Sequence, residues 1–276
     1  MEKGSVPALH GARVASRRLR EVLPVLQIDA EAASSLGRRL RKVTRRLGSV
    51  REVDVLRQLI DDLRRSHRYD ERALSRVSTG LESEQFSRRE RLLAKAPLAD
   101  LRRVAAKIAK VEAHLVGRDA GRASTRSWRW AIDARVGHRA SALKAAVAAA
   151  GSVYLPGRVH AVRIALKKFR YAAEVEHEIA ADRMRSQDLA LLQRLQEVLG
   201  HLQDRQVLVE HVREVQASPS TPADAATERG LDALVTAIET DCRRLHARYV
   251  RDAAALSAVC DRVIESAQAA PARRRA

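Results

Sequence analysis

"LHGARVASRRLREVLPV", residues 9–25, and "VHAVRIALKKFRYAAEV", residues 159–175, read as two versions of one segment. His10 aligns with His160, Arg13 with Arg163, Arg17 and Arg18 with Lys167 and Lys168, and Arg20 with Arg170, always 150 positions apart and without a gap. Val14 with Ile164 and Leu19 with Phe169 extend the match to apolar positions. A repeated core explains the apolar matches. It does not explain a repeated histidine and a repeated set of cations.

A second block supports the repeat. "LGSVREVDVL" at 47–56 aligns with "LGHLQDRQVL" at 199–208, placing Glu52 opposite Asp204, now 152 positions apart. Two matched blocks in the same order, at nearly one spacing, point to an internal duplication.

On a helical wheel with about 100° per residue and His10 at the origin, Arg17 falls near −20°, Arg13 near −60° and Arg20 near −80°. Ala15, Leu19, Val22, Leu23 and Leu26 gather on the opposite side. The first helix therefore carries an apolar stripe for a core and a separate cationic stripe. His160, Arg163, Lys167 and Arg170 share one arc of the second copy, opposite Val162, Ala165 and Phe169, although Glu174 falls on that arc. Solvated faces ordinarily mix signs, because like charges three or four apart repel. The arc from 10 to 20 holds no acid, which marks it as a candidate anion site. Arg18 and Lys168 lie off the stripes. The next helix, "GRRLRKVTRRL", adds Arg38, Arg41, Lys42 and Arg45 on one face, whereas its counterpart keeps only Arg194.

The whole chain suits these segments. Its 276 residues can bury a sizeable core. It is 46% hydrophobic but 3% aromatic, with 12 Gly and 7 Pro, a composition that favours helix throughout, so the fold class is all-α. Lys and Arg number 52 against 34 acids, a net charge of +18 that attracts polyanions. Nucleic acid, an anionic membrane and inorganic polyphosphate all qualify. Only 8 of those cations are Lys, and the Arg fork suits phosphate oxygens, although a GC-rich bacterial genome also produces Arg- and Ala-rich chains.

Punctuation divides the chain into helices over about 7–26, kinked or ended by Pro24, 31–47 and 69–96. Ser49 and Glu52 form a capping box that opens a separate helix after Gly48. Further helices cover about 98–116 and 127–150, with "GRDAGRAS" as a loop between them. "AAGSVYLPGR" at 149–158 reads as an interdomain linker, dividing an N-terminal bundle, 1–150, from a C-terminal bundle, 151–270. The second half reads as helices over 159–180, 183–199, 202–217 and 223–267, with "SPSTP" as a loop and "PARRRA" as a disordered basic tail over 271–276. Cys242 and Cys260, eighteen apart on one helix, are too distant for a mutual disulfide and are expected to be buried thiols. There is no apolar leader and no run of eighteen apolar residues, so the expectation is a cytoplasmic chain with no membrane insertion.

The patterns His-x-x-Arg-Val-x-x-Arg-Arg-Leu-Arg at 10–20 and His-x-x-Arg-x-x-x-Lys-Lys-Phe-Arg-Tyr at 160–171, each followed by a Leu-Gly-x-x-x-acid block, resemble the CHAD family, named for its histidines in an α-helical domain. The resemblance covers nearly the entire chain. It implies two related helical bundles about a pseudo-twofold axis, with a central basic surface or pore. It also implies binding of inorganic polyphosphate and association with polyphosphate granules. His10, Arg13, Arg17, Arg20, Arg38, Arg41, Lys42, Arg45, His160, Arg163, Lys167 and Arg170 are then the candidate contacts. Family members often carry a helix before the first motif. Here it begins nine residues from Met1, so the first bundle is expected to be open on one side. "ESEQF" at 82–86 lacks the Lys of the triphosphatase signature found fused to some relatives, so a stand-alone, non-catalytic module is expected.

Enzyme motifs offer no competing reading: the sequence has no His-Glu-x-x-His, P-loop or Gly-x-Ser-x-Gly, and no cofactor is expected. Metal chelation by the two histidines has been suggested for the family, but Arg and Lys neighbours repel a cation. A histidine donating to a phosphate fits better. Sequence-independent nucleic-acid binding is the alternative, held back by few aromatics for base stacking. The cluster "SWRW" at 127–130 reads as helix packing. An anionic membrane surface has no spare apolar face to bind.

Overall fold

A computed structural model describes residues 6–26, 28–94, 97–117, 122–179, 184–218 and 224–272. Within these, the side chains of 6–10, 13, 46–51, 84–85, 88–89, 91–94, 97–101, 114–117, 122–128, 179 and 270–272 are not described. The described residues form helices and no strands: α1 Val6–Val22, a 3-10 turn Leu23–Val25, α2 Ala30–Arg65, α3 Glu71–Ala94, α4 Pro97–Gly117, α5 Arg122–Ala150, α6 Pro156–Ile179, α7 Ser186–Ala217 and α8 Ala225–Ala272.

Local chemistry accounts for most of the boundaries. Pro24, without an N–H, ends α1 in the 3-10 turn, closed by the Leu26 N–H donating to the Leu23 carbonyl at 3.4 Å. Asp29, Asp70 and Asp224 cap α2, α3 and α8. Their carboxylates accept from the N–H of Ala32 at 2.8 Å, Ala73 at 2.9 Å and Thr227 at 2.7 Å. Gly151, at φ 60°, ends α5 in the left-handed conformation that glycine adopts without a Cβ clash, and its N–H donates to the Val147 carbonyl at 3.2 Å.

Two expected breaks do not occur. Helix α2 runs through Gly48, so no separate helix opens at Ser49, and α7 runs through Gly200. An interior glycine costs about 1 kcal/mol of helix stability. Beyond Gly48, however, Val53, Leu56 and Ile60 continue the buried stripe of Leu36, Leu40 and Val43. Each such side chain contributes about 1.5–3 kcal/mol on burial, so the stripe outweighs the glycine. Leu199, Leu202 and Leu208 do the same for α7. Residues 271–272 of the expected tail belong to α8, and 273–276 lie outside the described residues, as do most of "SPSTP" and the centre of "GRDAGRAS".

Contacts divide the chain into two compact units. The first comprises Met1–Leu47, Ala96–Gln196 and Asp252–Ala276; the second comprises Gly48–Lys95 and Glu197–Arg251. Each unit draws on both sequence halves, and the segment 151–155 joins two helices of the first unit. The core of the second unit takes Val53, Leu56 and Ile60 from α2, Leu74, Val77 and Leu81 from α3, Leu208 and Val212 from α7, and Leu231, Leu234 and Ile238 from α8. In the first unit, Leu36, Leu40 and Val43 pack with Leu23, Leu26 and Val104, while α6 lies along α5 and against α1. Val162 and Phe169 of α6 are fully buried, and the thiols of Cys242 and Cys260 of α8 are buried too.

Candidate functional site

Every candidate residue belongs to the first unit. Leu19, Val22, Leu23 and Leu26 of the apolar stripe face its core, but Ala15 is exposed. Arg17 and Arg20 lie on the other side, half-buried. The side chains of His10 and Arg13 lie outside the described residues.

On α2, Arg38, Arg41, Lys42 and Arg45 are all exposed and together line an open concavity of about 330 Å³. The Arg38 Nη1 donates to Ser34 Oγ at 2.6 Å, which props one wall. This concavity adjoins the cations of α1 electrostatically. The Arg20 guanidinium is held below its usual value by burial first, then by repulsion from Arg41, against the pull of Glu21, with Arg17 and Arg139 adding to the repulsion. A guanidinium destabilised by neighbours of its own sign is relieved by an anion.

Arg139 and Arg135 of α5 were not foreseen. They stand one turn apart and converge on the carboxylate of Glu21. Arg139 donates from Nε to Oε2 at 2.8 Å and from Nη2 to Oε1 at 3.1 Å. Arg135 donates from Nε and Nη2 to Oε2 at 3.1 and 2.9 Å. Burial pushes the Arg135 guanidinium down and Arg139 adds to that, while Glu21 only partly offsets them. The available signal was the spacing of four between Arg135 and Arg139, which puts both on one helix face.

On α6, His160 is exposed, and Arg163 and Lys167 are half-buried. Arg170 is engaged inside the fold: it pairs with Glu174, donates from Nε to Gln196 Oε1 at 2.8 Å and lies against the Tyr171 ring. Arg18, set aside as off the stripe, ties α1 to α6 through Glu178, with Glu174 3.8 Å from its Nε. Glu174, the acid on the second arc, thus partners both. Arg194 pairs with Asp252 at 3.4 Å. Trp130 of "SWRW" is 50% exposed rather than packed, and Trp128 lies outside the described side chains.

Among the described residues, no group of three or more His, Cys, Asp or Glu is placed to hold a metal ion. No described helix is long and apolar enough to cross a membrane. Fold and site define an all-helical protein with an arginine-rich surface built from α1, α2 and α5. A family model for the CHAD domain matches residues 2–213, and the chain belongs to that family. The match ends before α8, so it covers less than the near-complete chain expected. No curated protein and no solved structure matches the chain.

Proposed function

We propose that this protein is a non-catalytic binder of inorganic polyphosphate, acting in the cytoplasm in association with polyphosphate granules. The observation that carries the reading is the concavity lined by Arg38, Arg41, Lys42 and Arg45, four exposed cations with no acid among the described residues of its wall. Arg20, which feels the charge of Arg41, and Arg17 add to it in this reading, and His160, Arg163 and Lys167 on α6 supply the corresponding cations of the second copy. In this reading the two His-bearing helices descend from one duplicated segment and are related by an approximate twofold. Charge-assisted bonds from Arg forks to phosphate oxygens supply the affinity, and a ligand that is phosphate throughout uses every cation along its path. Family membership supports the same ligand class.

One observation favours nucleic acid as a second reading: Trp130 is half-exposed beside exposed Arg129, a pairing that can stack a base. Competition at near-physiological salt separates the two. Polyphosphate should stay bound at a salt concentration that releases duplex or single-stranded DNA of equal charge. Equal or tighter retention of DNA would replace polyphosphate with nucleic acid as the ligand.

A further inference from the structure

We propose that Arg139 is a further phosphate-contacting residue of this surface, and that Glu21 is the positioning residue that holds it, with Arg135, in place before the ligand arrives. The inference rests on the polyphosphate reading. A carboxylate among cations has the wrong sign for capturing an anion by charge alone. Glu21 is nonetheless 8% exposed by side chain and is gripped by two arginines that are 16% and 21% exposed. It adjoins Arg20 in sequence and lies near 20° on the α1 wheel, beside Arg17. Without it, Arg20, Arg135 and Arg139 would repel one another and their long side chains would splay. With it, the Arg139 fork is fixed through Nε and Nη2, bonds to Glu21 that do not use Nη1. A fork ordered in advance loses less rotamer freedom when a phosphate binds.

The test measures affinity for polyphosphate of defined length, with thermal melting in parallel, for the wild type, Glu21→Gln, Arg139→Gln and Arg139→Lys. Charge alone predicts that Glu21→Gln, which adds one positive charge, binds more tightly. Positioning predicts weaker binding, by about tenfold, the loss of one charge-assisted contact. Arg139→Lys keeps the charge but not the fork, and should weaken binding almost as much as Arg139→Gln. Unchanged or tighter binding by Glu21→Gln overturns the inference, as does wild-type affinity in Arg139→Lys. If Glu21→Gln does not melt cooperatively, Arg139→Lys decides. A wild type that fails to retain polyphosphate overturns the function and this inference together, whereas a binding wild type with unaffected variants overturns this inference alone.

Discussion

Arg41 and Arg45 are exposed, so reversing both to Glu should leave the melting temperature in place while removing two phosphate contacts. Each charge-assisted bond contributes about 1.5–3 kcal/mol, and binding should fall at least about a hundredfold. Lys168→Glu, on an exposed position off the α6 arc, should cost far less, and equal losses would mean diffuse attraction rather than a site. Arg18 is unsuitable as that control, because its substitution breaks the tie to Glu178 and reads as stability. His246 gives a pH-dependent prediction. Burial holds its imidazole below the usual value of 6.5. The unfolded chain takes up that proton near pH 6.5 and the folded chain does not, so the stability from neutral His246 is complete above that pH and is lost as pH falls below it. His246→Gln should flatten the decline in urea midpoint between about pH 7.5 and pH 5.5; profiles parallel to wild type would assign the decline to other groups. The cations of α1 and α2 were legible because their recurrence three and four residues apart is a local property of the chain. The Glu21 clamp was not, because its partners lie 114 and 118 positions away.

The same substitution at two helix glycines should act in opposite directions. A Cβ at Gly137 of α5 would stand 2.8 Å from the Cβ of Ala267 on α8, and an alanine methyl cannot swing aside. Gly137→Ala should therefore lower the melting temperature despite its better helix propensity, and Ala267→Gly in the same chain should restore it. At Gly200 nothing lies within 4 Å of an added Cβ. Gly200→Ala should raise stability by about 0.5–1 kcal/mol, readable as a higher denaturant midpoint at unchanged slope. The periodic segments and the Pro24 stop were legible at this scale. Gly48 and Gly200 were misread as breaks because glycine's cost is local, while the stripe that overrides it becomes visible only once the neighbouring helices bury it.

The net charge of +18 makes affinity for any polyanion fall with salt, linearly on logarithmic axes as counterions are released. If Arg41 contacts a phosphate, Arg41→Gln should reduce the magnitude of that slope by about one. An unchanged slope, with wild-type affinity, would remove Arg41 from the site. The charge was readable across the whole chain, but its division into compact units was not. Glycine and proline at 149–158 suggested a boundary there, yet α5 and α6, on either side of it, pack within one unit.

The sequence by itself determined the helical class, the cationic arcs and the family, because each rests on periodicity or motif spacing within a single segment. Only the tertiary structure decided where each cation is placed. Arg18 and Arg170 meet Glu174 and Glu178 inside the first unit, whereas Arg38, Arg41, Lys42 and Arg45 line an open concavity on α2. The physical reason is that helix periodicity is set by neighbours along the chain, while the partner of a charge is whatever packing brings within reach. For Arg18 that partner lies 160 positions away.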